Sequence, residues 1–418
     1  MYDIDTETRK KIHDVIVVKH SARRFSLFVF FLAIGMLALG GGALQCSARF
    51  LPLAAQVQSQ TESSSLASLA SLDSQSSESS ESSVLPPPPP HPDTHIGVYL
   101  SATSMARPTI LGNTYTSLSE SNGNAFVFDV KGSFVYFDSS SPIAATLGLQ
   151  KPLYDLPAIL AEARARGIYT IGRFIALKDD GLSTYSQTLI THPKTGRPMS
   201  QGWVDPANQT VLAYNSEIIC DLARAGIDEI NLDYIRFSTG YVGELRAFSG
   251  QEKADRVEQF IKMARDTINT CGPQTKLGLS TYAILGWDYA VNLETLGQDV
   301  VRFAPLVDVI SPMAYPATFT SPEYYVAGRD ARSRMYHLVY RTLTGYKKLL
   351  GDQAWKIRPW IQGYSVSAHD MQEQMDAVFD AGSCGFTVWN ANNNYGPVYK
   401  GMQLEHIPEH CKQLVAAE

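Results

Sequence analysis

From His95 onward, short runs of β-branched and aromatic residues alternate with longer stretches whose apolar positions recur at helical spacing. That alternation is the pattern of repeated strand–helix units. It predicts strands over residues 96–101, 125–130, 168–174, 228–233, 276–282, 307–313, 358–363 and 385–390. Helices are expected between most of them, over 153–166, 210–225, 251–270, 330–350 and 370–381. Glycine follows several of these helices, as in Arg166-Gly167, Ala225-Gly226 and Ala381-Gly382, where a left-handed residue ends a helix at low cost. Eight strands with crossover helices predict an α/β fold, a (β/α)8 TIM barrel over residues 95–418. An open doubly wound sheet is the other arrangement, but no GxGxxG follows the first strand.

Upstream the pattern is different. Residues 1–24 are polar and carry Lys10, Lys11, Lys19, Arg23 and Arg24, as a cytoplasmic tail would. An uncharged apolar run, Phe25 to Leu44, follows, and about 20 such residues suffice to cross a bilayer as a helix. Residues 25–45 are therefore expected to be a transmembrane signal anchor, with everything after them exported. A cleaved signal peptide is the alternative, with an unusually long basic region and no clear small-x-small cleavage site. A lipoprotein reading would use Cys46, which Gln45 before it fits poorly. Residues 46–94, rich in Ser, Glu and Gln and then in proline (Pro86 to Pro90), cannot bury enough apolar surface to fold. They read as a disordered linker that holds the barrel away from a cell membrane, on its extracytoplasmic side.

Composition narrows the function classes. The 418 residues carry a formal net charge of -6, with no basic cluster in the barrel that would mark a nucleic-acid partner. The five cysteines (Cys46, Cys220, Cys271, Cys384 and Cys411) form no CxxC pair, so a zinc ribbon or thioredoxin-like site is not expected. A Cys384–Cys411 disulfide is conceivable in an oxidising compartment; spacing alone does not decide it. Apart from His91 and His95, and His406 and His410, each four residues apart, the exported histidines are scattered, and neither metal nor cofactor is expected.

Barrel active sites lie at the C-terminal ends of the strands, and side chains alternate between interior and helix layer. On the fourth strand, Ile230 and Leu232 suit the helix layer, which turns Glu229, Asn231 and Asp233 inward. Asp233, at the strand end, is the leading catalytic candidate. On the second strand the same parity turns Asp129 inward, as a second catalytic carboxylate or a substrate ligand. Glu229, deeper in its strand, reads as a structural ion-pair partner. Tyr99, Arg173, Tyr282, Met313, Tyr315, Gln362 and Trp389 are expected to contact substrate, whereas Trp360 is as easily barrel filling. Between the third strand and its helix lies a long segment, 175–208, expected to wall one side of the cleft. Within it Asp205 is either a substrate contact or the start of the next helix. Arg236 could grip substrate or pair with Asp233 or Asp205. Paired carboxylates flanked by aromatic rings suit glycoside hydrolysis, which uses one carboxyl group as acid and another as nucleophile or base.

The stretches IGRFIALKDD, WVDP, DEINLDYIRF, VISPMAYP, IRPWIQG and GFTVWNANNNY occur in this order. Together they closely resemble the Putative glycosyl hydrolase domain family, a bacterial branch of the TIM-barrel glycosidase superfamily, over about His95 to Tyr395. The resemblance implies a barrel that cleaves glycosidic bonds in cell-envelope or extracellular polysaccharide. Relatives commonly carry an acidic residue just after the fifth strand, where this chain reads Ser280-Thr281-Tyr282-Ala283-Ile284. The acid would then be Asp129, Asp179 or Asp205. A looser similarity to chitinases would make Asp233 the acid, assisted by Tyr315. A barrel that binds carbohydrate without turning it over is the competing function.

Overall fold

The computed structural model describes residues 91–199, 202–240 and 245–415. The expected tail, membrane anchor and most of the linker lie outside the described residues. Among the described residues no helix is long and apolar enough to cross a membrane.

Eight parallel strands close into a barrel in sequence order. They are β1 (Ile96–Leu100), β2 (Ala125–Lys131), β3 (Tyr169–Ile175), β4 (Glu229–Asp233), β5 (Lys276–Tyr282), β6 (Val309–Ala314), β7 (Trp360–Gln362) and β8 (Phe386–Trp389). The connecting helices are α1 (Pro108–Glu120), α2 (Leu156–Ala165), α3 (Gln209–Ala225), α4 (Gly250–Cys271), α5 (Tyr289–Leu296), α6 (Arg334–Leu350) and α7 (Ala368–Asp380). After β8 comes α8 (Gly396–Leu404). The open-sheet alternative falls because β1 pairs with both β2 and β8. Local chemistry sets the helix limits. Asn208 caps α3 by accepting from the amides of Thr210 and Val211, and Gly226 ends it at φ 79°. A reciprocal Ser249–Glu252 capping box opens α4.

Strand parity divides two environments. Phe126, Phe128, Val130, Ile230 and Leu232 are fully buried beneath the helices. Inside the barrel, side chains stack in tiers, two residues or roughly 6–7 Å apart along a strand. The floor is ionic. Arg358 donates to Glu229 at 2.7 Å and pairs with Asp93 at 3.3 Å. Asp93 falls within the expected linker, yet its carboxylate is fastened here and also accepts from the His95 amide. Burial opposes its charge, but Arg358 and His95 prevail and hold its pKa well below the ordinary carboxylate value. The middle tier is a polar network in which Trp360 Nε1 donates to Ser280 Oγ at 2.9 Å, Ser280 donates to Asn231 at 2.6 Å, and Asn231 donates to Glu229 of the floor at 3.1 Å. Trp360 is thus barrel filling with its one donor satisfied.

Two disulfides staple the ring. Cys384 and Cys411 are joined, and so are Cys220 and Cys271, which link neighbouring helices α3 and α4. The second pair was not anticipated from the sequence, because its partners are 51 residues apart and only helix packing brings them together.

The small residues of β5 make room for the floor and the middle tier. A Cβ on Gly278 would stand 2.6 Å from Asn231 Nδ2 and press on the Glu229 carboxylate. Gly278→Ala should therefore cost about 1–3 kcal/mol by overpacking. Gly112→Ala, in α1 with nothing near its Cβ, should be neutral or stabilise by up to about 1 kcal/mol. Equilibrium urea unfolding of both variants checks this, and equal effects would contradict the packing described.

Candidate active site

At the C-terminal mouth of the barrel, three adjacent strands present one cation between two carboxylates. Arg173 of β3 donates from Nη1 to Asp129 Oδ1 of β2 at 2.7 Å. Through Nε it donates to Asp233 Oδ2 of β4 at 2.8 Å. Burial disfavours the Arg173 charge, but Asp233 and then Asp129 outweigh it and raise its pKa well above the usual value. The outer oxygens are used as well. Tyr99 donates its hydroxyl to Asp129 Oδ2 at 2.6 Å, and the Tyr234 amide donates to Asp233 Oδ1 at 2.7 Å. All four carboxylate oxygens therefore act as acceptors, and each side chain is held in a single orientation. Neither is sealed: the side chains of Asp129 and Asp233 remain 15% and 9% exposed.

Aromatic rings line the rest of the mouth. Trp389 stacks on Tyr315, with centroids 5.6 Å apart at 29°, and meets Tyr364 edge-on at 5.5 Å. Burial and then the Asp233 charge push the Tyr315 phenol well above its ordinary pKa, so it remains a donor near that carboxylate. Met313 packs into the same interior cluster as Tyr99, Tyr315, Trp360 and Trp389. Tyr234 is a bulky residue at φ 54°, a backbone conformation that costs energy and concentrates at functional sites.

The long connection after β3 does wall one side, and Trp203 from it packs against Tyr234 at 5.9 Å. Its acidic residues are occupied elsewhere. Asp179 is wholly buried and pairs with Lys131 at 2.7 Å, so it cannot reach a sugar. Asp205 takes both oxygens to Arg256 Nη1 and accepts from the Ala207 amide, which makes it a loop anchor at the approach to α3. Of the three candidate acids, Asp129 alone joins Asp233. Gln362 is also structural: its Oε1 accepts from the Ala317 amide and its Nε2 donates to the Tyr364 carbonyl, so it ties loops together at the barrel mouth. Arg236 pairs with neither Asp233 nor Asp205. Its guanidinium lies 4.3 Å from the Tyr282 ring centre and 4.8 Å from that of Trp203. Tyr364 was missed by the strand-parity reading because it follows β7, beyond the reach of alternation. Among the described residues, the group with metal-ligand geometry is Cys384, His410 and Cys411. The disulfide takes both of its sulfurs, leaving one histidine.

Residues 97–395 match the model of a family described as Putative glycosyl hydrolase domain. The chain belongs to that family. No curated protein sequence matches. Among solved structures, the glycoside hydrolase domain of PgaB (BpsB) from Bordetella bronchiseptica superposes with a TM-score of 0.55 at 12% identity, covering 75% of this chain and 100% of that one. The endo-β-1,4-mannanase of Thermotoga petrophila gives 0.50 at 12% identity over 78% of this chain and 77% of that one. The β-galactosidase of Marinomonas ef1 gives 0.54 at 10% identity over 77% of this chain and 60% of that one. At such identities the likeness is one of fold, and the site of this family member rests on its own residues.

Removing the bridging cation should leave two partly enclosed carboxylates without their shared counter-charge. Arg173→Met is expected to cost about 3–5 kcal/mol. Adding Asp129→Asn to it should recover part of that loss. Denaturant unfolding of the single and double variants measures both, and additive losses would mean that the bridge does not form in solution.

Proposed function

We propose that this barrel hydrolyses glycosidic bonds in extracytoplasmic polysaccharide, with Asp233 and Asp129 as its carboxylate pair. The observation that carries the reading is the single guanidinium between them. Hydrolysis needs one carboxyl group that holds a proton for the leaving oxygen and another that stays anionic to attack carbon or activate water. One cation shared by two carboxylates allows that division. A sugar that displaces Arg173 from one carboxylate leaves that group free to take a proton, while the other keeps the counter-charge. Trp389 and Tyr315 offer ring faces for the apolar side of a sugar, and Tyr315 offers a phenolic donor. Family membership supports the same chemistry.

An exported site fits the two disulfides of the barrel, since such bonds persist in oxidising compartments. It also fits the apolar run from Phe25 to Leu44, read as a tether. A second reading, a barrel that binds carbohydrate without turnover, draws on β5, whose end presents Ser280, Thr281 and Tyr282 and no acid.

The purified full chain, screened on a panel of glycans for released reducing ends, tests the reading. Asp233→Asn and Asp129→Asn should each lower kcat by about 10²–10⁴-fold. Neither should shift the unfolding midpoint enough to explain that loss. Turnover that survives Asp233→Asn would overturn the assignment, and binding without turnover on any glycan would favour the second reading.

A further inference from the structure

Beside the carboxylate pair lies a cation that the hydrolytic reading does not use. Arg236 is 6% exposed. Buried charges are ordinarily paired with an opposite charge, because desolvation is costly. Other cations of the barrel follow that rule: Arg173 has Asp129 and Asp233, Arg256 has Asp205, and Lys131 has Asp179. Arg236 has no carboxylate among the described residues. Its hydrogen bond runs from Nη1 to the Phe237 carbonyl at 2.9 Å. Three rings surround it instead, with centres 4.3 Å (Tyr282), 4.8 Å (Trp203) and 5.4 Å (Tyr234) from the guanidinium carbon. The ring faces hold the cation without neutralising it. Its other nitrogens are not among the sealed, unsatisfied polar atoms of the described residues.

The box adjoins the catalytic pair. Tyr234 directly follows Asp233, and its phenol, already raised by burial, is influenced by Asp233 and Arg173 as well as by Tyr282 and Arg236. One ring is thus within electrostatic range of both groups. Arg173 is shared by two carboxylates, so the pair alone carries an excess negative charge that would repel an anionic sugar. Arg236 offsets it. A planar guanidinium with free donors matches a carboxylate in shape as well as in charge.

We infer that Arg236, set in the Trp203–Tyr234–Tyr282 box, forms a subsite for a carboxylate-bearing sugar next to the residue bound at Asp233. This rests on the glycan-binding reading of the mouth and adds the substrate class: a uronate-containing polysaccharide.

The test uses the purified full chain and oligosaccharides in matched pairs, each a uronate oligomer and its carboxyl-reduced counterpart, with affinity read by calorimetry. At least one uronate oligomer should bind about tenfold or more tightly than its reduced partner, as expected for a charge-assisted hydrogen bond. Arg236→Gln should erase that difference while leaving the reduced oligomer's affinity unchanged. Arg236→Lys should retain part of it. Should Arg236→Gln fail to fold, the wild type still answers, since added salt should weaken uronate binding and spare the neutral oligomer. Equal affinity for both members of every pair, or a preference that persists in folded Arg236→Gln, overturns the subsite. The two readings fail separately. Hydrolysis of neutral glycans with no charge preference leaves the hydrolase and removes the subsite. Arg236-dependent uronate binding with no turnover leaves the subsite and removes the hydrolase.

Discussion

The mouth of this barrel is organised by one arginine that serves two acidic neighbours at once. Arg173 stands on the strand between those of Asp129 and Asp233; it lies opposite Asp129, and Asp233 is two residues beyond its other partner, Asn231, within reach of the long side chain. Its charge is fixed, and its fork reaches both neighbours. Everything nearby follows from that arrangement. Tyr99 turns its hydroxyl to the outer oxygen of Asp129, and the backbone at Tyr234 takes up a left-handed turn with its amide on the outer oxygen of Asp233. A carboxylate pair arranged in this way is ready for a ligand that exchanges one of the guanidinium's contacts for its own.

The layers beneath keep that constellation rigid. The inward residues of β4 anchor successive tiers: Glu229 takes the floor arginine, Asn231 donates down to Glu229 and accepts from Ser280, and Asp233 reaches the mouth. A buried ionic floor adds little net stability over an apolar one, but removing one partner is severe, because the other charge is left unpaired.

Much of this was legible in the sequence. Runs of β-branched and aromatic residues mark the eight strands, and strand alternation alone turns Asp129, Arg173 and Asp233 inward. Alternation works because both faces of a barrel strand are buried, so apolar and polar residues sort cleanly. It fails where the chain leaves the strands. Lys131 follows a register shift in β2, which lets it meet Asp179 from a loop far along the chain. Asp205 and Gln362 looked like substrate contacts and are held by Arg256 and by loop backbone. Tyr364 and the three rings around Arg236 come from four different connections and strand ends. No local pattern encodes such meetings, which depend on how loops fold over the finished barrel.

The central claim is that Asp129, Arg173 and Asp233 form the place where a sugar is cleaved. A crystal structure of the Asp233→Asn chain with an oligosaccharide substrate bound tests it most directly. The account predicts the scissile glycosidic oxygen between positions 129 and 233, with a sugar ring against Trp389 or Tyr315. A sugar bound on the outer helices, with the Arg173 bridge intact and covered, would contradict it.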